Sequence, residues 1–325
     1  MPIRLGINSW AFAPRLGSDN LIEIVDTAAG LEIPGNKRVL EYLVFDPEGQ
    51  SEDATNIRDI AGASGFVVTV CGFVPNYRKD GERPSFSLSD EPDEQRRALE
   101  TGYRFIEIAR RVSRSEEIGH VGGPFYRMHG DLCQLEPVHY SRLVEHLSKL
   151  AQRAAKEGVE LDMEFLNRFE LSGPNTTRQA IRLAKDVEAA MPARPDSPIV
   201  KIQFDTFHSY LAGEDVLDAL KYAASDGCRY LGSVHLGDTT RLALGTGALK
   251  GIFGEVMKTV YDASKNGPEV PIVPELFCGG FRKNVAIWPW PGEEPIPDPY
   301  EQAKDSFALL GRHIKEYGEQ GIHLV

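Results

Sequence analysis

Cysteine is scarce in this chain: only Cys71, Cys133, Cys228 and Cys278 occur in 325 residues, and no two form a C-x-x-C pair. That spacing argues against a dense disulfide framework or a thiolate zinc site, and buried reduced thiols are expected. Positive charge is also short. Lys and Arg total 36 against 48 Asp and Glu, a net charge of -12, which speaks against general affinity for nucleic-acid phosphates or anionic membranes. No apolar run is long enough to span a bilayer, and the start MPIRLGINSW lacks a basic segment leading into an apolar one, so a cytoplasmic protein is expected. Three nucleotide or hydrolase signatures are missing as well. INSWAFAPR has no G-x-G-x-x-G, GHVGGPFYRMHG has no P-loop Lys-Ser/Thr, and no G-x-S-x-G elbow occurs.

What remains is an ordinary globular composition, 42% hydrophobic and 26% charged. Short apolar runs alternate with amphipathic stretches, the pattern of parallel strands joined by helices. Strands are expected at 3–8, 39–45, 66–71, 118–125, 159–165, 198–205, 230–236 and 270–276. Helices are expected near 20–30, 52–63, 92–112, 139–157, 176–190, 214–225, 251–265 and 300–317. In the third helix Leu99, Tyr103, Phe105, Ile106 and Ala109 mark the inward face. His139 and His146 are read as surface residues of the fourth, and MPARPDSP ends the fifth. Eight such units predict an α/β fold, a (β/α)₈ TIM barrel forming one domain over residues 1–325. Long loops at about 72–90 and 277–299 are placed as lids over its mouth.

The stretch LDMEFLNRFE raises the functional question, because it carries Glu164 to the end of a buried strand. An ionised carboxylate there costs several kcal/mol unless a cation pairs with it. Three later strand ends repeat the oddity: Asp205 followed by His208, then His235, then Glu275. Each alone has a bland reading, such as a helix cap for Asp205 or a satisfied core histidine for His235. Together, at successive strand ends, they form an oxygen-rich site with one nitrogen, suited to Mn²⁺, Mg²⁺ or Co²⁺. Asn167, Arg168 and Asp238 are expected to orient the ligands.

These residues resemble the ketose 3-epimerases, the D-tagatose 3-epimerase and D-psicose 3-epimerase family of the xylose-isomerase-like TIM barrels. EFLNRFE looks like that family's E-x-x-N-R-F-E, FDTFH like L-D-T-F-H, VHLGDTTR like H-x-H-L-G-E-x-x-R, and VPELF like M-E-P-F. The resemblance implies that Glu164, Asp205, His235 and Glu275 bind one divalent metal ion, Mn²⁺ foremost, with Glu164 and Glu275 also the acid/base pair. It implies that Glu170, His208 and Arg241 bind substrate. Glu41 sits where the family has a strand-two Glu, while Asn8 stands near a position where the family tends to place an aromatic.

The expected activity is inversion of C3 of a free ketose through an enediolate, with two Glu on opposite faces. An aldose–ketose isomerase or an inosose-type dehydratase could use the same site, and a non-catalytic sugar-binding barrel is a further alternative. A multi-metal phosphodiesterase would want more His ligands and a basic surface. The partner is a small sugar, with no nucleic acid and no membrane. A homo-dimer or tetramer is open.

Overall fold

The computed structural model describes all residues except 1–2, 13–19, 36–37, 45–46, 48, 73–86, 115, 127–134, 193–195, 278–297 and 320–325. Most of the two long loops, together with Cys133 and Cys278, therefore lies outside the described residues. Eight strands close into an all-parallel barrel in sequence order: β1 (Ile3–Asn8), β2 (Arg38–Leu43), β3 (Phe66–Cys71), β4 (Gly119–Gly123), β5 (Val159–Glu164), β6 (Val200–Asp205), β7 (Leu231–Leu236) and β8 (Val270–Pro274). The ring shuts where β1 pairs with β8, Leu5 facing Ile272. Around it lie α1 (Leu21–Ala29), α2 (Gly49–Ala63), α3 (Pro92–Val112), α4 (Pro137–Glu157), α5 (Thr177–Ala190), α6 (Thr206–Leu211), α7 (Val216–Ala223), α8 (Ser225–Cys228), α9 (Phe253–Ser264) and α10 (Pro299–Gly318).

The expected strands are all present, but six of them, β2 and β4 to β8, are shorter than the apolar runs that announced them. Hydrophobicity continues past the ladder because residues such as Val44, Phe125 and Leu276 stay buried after the chain has turned away. Two short α-helices were not foreseen as separate elements, α8 and α6, and α6 begins directly at the end of β6, with Asp205 Oδ1 accepting from the Phe207 N–H at 2.6 Å.

Strand alternation divides the chain's apolar and polar side chains between two regions. On β5, Val159, Leu161 and Met163 join the apolar layer beneath the helices. Glu160, Asp162 and Glu164 alternate with them, and their partners are polar groups of neighbouring strands: Lys201 Nζ is 2.7 Å from Glu160, and His120 Nδ1 is 3.2 Å from Asp162. On β5 the inward face is thus polar, and the apolar face packs outward against the helices. In that outer layer α3 buries Ala98, Gly102, Phe105, Ile106, Ala109 and Val112, while Leu99 and Tyr103 pack at its margin, half-buried. Gly102 permits the close approach of α4, since a Cβ there would lie 2.5 Å from Leu150 Cδ2. Gly158, at φ 69°, closes α4 in the left-handed region that favours glycine.

His146 corrects the surface reading. It is buried on α4, and its Nε2 lies 3.1 Å from the Phe125 carbonyl, a buried acceptor two residues beyond β4. Burial lowers its pKa from 6.5 to about 4, so the ring is neutral. Cys71 and Cys228 are buried free thiols, as expected. Among the described residues no helix is long and apolar enough to cross a membrane.

Candidate active site

The carboxyl ends of β5 to β8 bring their polar residues to one point. One ligand-capable atom from each of Glu164, Asp205, His235 and Glu275 lies within 4.8 Å of the others, and all four residues are buried. Asp205 pairs with His235 in the β6–β7 register. Glu275 lies one residue beyond β8, yet its N–H still reaches the Leu236 carbonyl at 3.0 Å, which keeps it in line with β7.

His235 is the hub. Its Nδ1 stands 3.6 Å from Glu164 Oε1 and 3.5 Å from Glu275 Oε1. Two ligands each about 2.1 Å from a shared ion would be separated by roughly 3 to 3.5 Å, so these spacings suit a common cation better than direct hydrogen bonds. Its other nitrogen, Nε2, is 2.9 Å from Glu41 Oε2. Burial opposes a charged imidazole, but Glu41 and Glu275 outweigh it and hold the His235 pKa well above the ordinary value.

Arg241 supplies the one guanidinium of the cluster. Its Nη1 lies 3.1 Å from Asp205 Oδ2 and also contacts Glu275 Oε2. Its plane is held between the rings of Phe207 and Phe277, at 3.9 and 4.5 Å, and Trp10 stacks on Phe277. The backbone at Arg241 has φ 56°, unusual for a side chain of this size. Two hydrogen bonds hold it there: Arg241 N–H to the Asp238 carbonyl and Phe277 N–H to the Arg241 carbonyl, each 2.9 Å.

These neighbours separate the two glutamates. Burial, with repulsion from Glu275, pushes the Glu164 pKa up to about 7. Burial would raise Glu275 too, but Arg241 and His235 overcome it and hold its carboxyl well below the usual range. Burial raises Asp205 well above its ordinary value against the pull of Arg241. Glu164 Oε1 is buried with no hydrogen-bond partner among the described residues. Among the described residues, four buried carboxylates, Glu41, Glu164, Asp205 and Glu275, face one guanidinium and two imidazoles, of which His208 is neutral, so the donor set carries surplus negative charge and an orphaned oxygen. It fits a hard divalent ion.

The residues expected at the substrate lie in a chain beside this cluster. Glu170 Oε1 accepts from Asn167 Nδ2 at 2.7 Å, Asn167 Nδ2 is 2.9 Å from His208 Nδ1, and His208 Nε2 is 3.1 Å from Arg241 Nη2. Burial, then the Arg241 charge, holds the His208 pKa well below the ordinary value, so the imidazole is neutral. Glu170 is half-exposed, at the open end of the chain.

Two orienting residues were misplaced by the sequence reading. Arg168 is exposed, stacks over Phe169 and lines a separate cavity of about 860 Å³ with Tyr140, Asn175 and Arg182. Asp238 is buried, but its carboxylate oxygens accept from the backbone N–H groups of Thr239, Gly245, Gly247 and Leu249, so its side chain folds the β7–α9 loop, and only its backbone carbonyl reaches the cluster, at the Arg241 N–H. Of the three, only Asn167 stands beside the site.

Sequence reasoning also missed Gln203, whose amide nitrogen lies against the His235 ring, 2.8 Å from Nδ1. Its signal was its place two residues before Asp205, on the same strand face. Two other potential ligand groups occur among the described residues. Glu41, Cys71 and His235 share the hub histidine, whose Nε2 is already engaged. His120, Glu160 and Asp162 lie deeper in the barrel, where the Lys201 ammonium provides the cation.

A family model described as xylose isomerase-like TIM barrel matches residues 27–318. The chain belongs to that family. Among curated relatives, the D-psicose 3-epimerase of Enterocloster bolteae is 27% identical over 265 residues, covering 78% of this chain and 76% of its own. The L-ribulose 3-epimerase of Mesorhizobium japonicum is 32% identical over 46% of each chain. A solved L-ribulose 3-epimerase structure superposes with a TM-score of 0.74 at 22% identity, covering 98% of this chain and 97% of the other. Within the xylose isomerase-like barrels, these relatives are named for inversion of a ketose at C3.

Proposed function

We propose that this xylose isomerase-like barrel is a divalent-metal-dependent ketose 3-epimerase. The observation that carries the reading is the placement of two buried glutamates, Glu164 and Glu275, on one histidine nitrogen with opposite electrostatic surroundings. Epimerisation at C3 needs one group that takes the proton and another that returns one to the opposite face. Two carboxyl groups whose environments drive their proton affinities apart meet that need.

Glu164, Asp205, His235 and Glu275 hold the ion in this reading, Mn²⁺ foremost, with Mg²⁺ and Co²⁺ as alternatives. When bound, the cation would supply Lewis-acid stabilisation for negative charge on the substrate oxygens. One glutamate carboxylate accepts the C3 proton as the C2–C3 enediolate forms, and the carboxylic acid of the other gives a proton to C3 from the far side. Exchange with solvent then resets the pair. Arg241 and His208 border the oxygen that gains charge, where a guanidinium fixed between two rings needs no reorganisation. Glu170, at the exposed end of the same chain, accepts from a sugar hydroxyl. In this reading residues 1–325 act as one domain. The substrate is a free ketose, and the protein works in the cytoplasm.

The test is to strip the protein with chelator, restore Mn²⁺, Mg²⁺ or Co²⁺, and follow free ketoses in D₂O by NMR. The reading expects metal-dependent deuterium at C3 together with the C3 epimer. Deuterium confined to C1 or C2 replaces it with isomerase chemistry, and no exchange with any sugar rejects it.

A further inference from the structure

We propose that Glu41, held by Asn8, is a positioning residue that fixes His235 with Nδ1 turned toward Glu164, Asp205 and Glu275, and so sets how tightly the site holds a divalent cation. The proposal rests on the metal-dependent reading above.

Glu41 is 3% exposed at the upper end of β2, in an apolar run where a carboxylate needs strong partners. It has two. His235 Nε2 lies 2.9 Å from Oε2 and 3.1 Å from Oε1, and Asn8 Nδ2 donates to Oε2 at 2.5 Å. Asn8 is fixed in turn, because its Oδ1 accepts from the Trp10 N–H at 2.8 Å and its backbone pairs with Glu41 in the β1–β2 register. The chain Asn8–Glu41–His235 therefore crosses the barrel from β1 and β2 to β7.

The direction of approach decides the role. Glu41 meets the ring nitrogen away from the other carboxylates, so it lies behind the histidine. A carboxylate only accepts, so the nitrogen facing it at 2.9 Å carries a proton, and Nδ1, between Glu164 and Glu275, is the nitrogen that can offer a lone pair to a cation. An anionic acceptor on the far N–H fixes the ring and strengthens the ligating nitrogen as a donor, and losing such a partner typically weakens metal binding by about 10–100-fold.

The experiment reads metal affinity with no sugar present. Chelator-stripped wild type, E41L, E41Q and N8A are titrated with Mn²⁺ in competition with a chelating dye, and melting of the metal-free proteins is recorded alongside. E41L should raise the Mn²⁺ Kd by about 10–100-fold. E41Q should fall between E41L and wild type because its carbonyl still accepts from Nε2–H, and N8A should shift in the same direction by less. A purely structural role would lower the metal-free melting temperature without this ordering of Kd. Wild-type affinity in E41L overturns the proposal; if E41L does not fold, wild-type affinity in both E41Q and N8A does so. A wild type that binds none of Mn²⁺, Mg²⁺ and Co²⁺ overturns the metal-dependent reading itself.

Discussion

Glu164 and Glu275 each bring one oxygen to the same nitrogen of His235, at 3.6 and 3.5 Å, but only Glu275 has a guanidinium on its second oxygen. The pair is symmetric about the imidazole and asymmetric in charge. Arg241 keeps Glu275 ionised, whereas Glu164 has an oxygen buried without a partner and a pKa pushed up to about 7, chiefly by burial.

Replacing either glutamate with glutamine keeps its volume and removes its capacity to take a proton. E164Q and E275Q should each lose at least about 10²–10⁴-fold in kcat on the ketose that wild type turns over. Deuterium incorporation measured on metal-loaded protein provides the check, and turnover close to wild type in either variant would remove that residue from the acid/base pair.

Arg241 acts on both Glu275 and the space beside His208. R241A deletes the guanidinium and should lower kcat by about 10²–10³-fold. Alanine meets the same left-handed backbone at 241 as arginine does, so the change tests the guanidinium, whose loss also leaves Asp205 and Glu275 without their cation. Steady-state kinetics with circular dichroism separates the two effects; an unfolded variant would show that the Phe207–Arg241–Phe277 stack is structural first.

In the proposed metal-dependent reading, surplus negative charge at the mouth makes the ion part of the protein's stability. At a free concentration 100 times its Kd, a ligand that binds only the folded state adds about 2.7 kcal/mol. Chelation should therefore lower Tm by several degrees and added Mn²⁺ should restore it in scanning calorimetry. A Tm indifferent to both would contradict the proposed ligand set.

His146 gives a pH dependence separate from this site. Its folded pKa, lowered to about 4 by burial, lies below the ordinary 6.5, so the unfolded chain takes up the proton first. Its stabilising effect is complete above about pH 6.5 and drains away as pH falls toward 4, by on the order of 3 kcal/mol. H146Q, which can still donate to the Phe125 carbonyl but does not titrate, should flatten the urea-denaturation profile across that window. An unchanged profile would mean that His146 is not held neutral.

The barrel was legible because its strands are apolar runs bounded by helical patterns, and neither signal depends on distant residues. The four ligand candidates were legible because a carboxylate or histidine closing an apolar run is anomalous on its own strand. Partnerships were not. Arg168 and Asp238 lie next to the right motifs, yet one turns to solvent and the other ties a loop, and sequence proximity does not encode side-chain direction. His146 looked like a surface residue because its acceptor, the carbonyl of Phe125, belongs to another element. Glu41 and His235 are 194 positions apart and meet only once the barrel closes.

Asp205 divides its two oxygens between two tasks, Oδ1 starting α6 at the Phe207 N–H and Oδ2 facing Arg241. The modest reading of this residue as a cap and the ambitious one as a ligand are therefore compatible. The first turn of α6 and the charged cluster share a single rotamer, so fraying of that helix is felt at once as a displaced carboxylate beside Arg241. An alanine scan would record one large loss at position 205 and could not apportion it, whereas asparagine keeps the cap and removes only the charge.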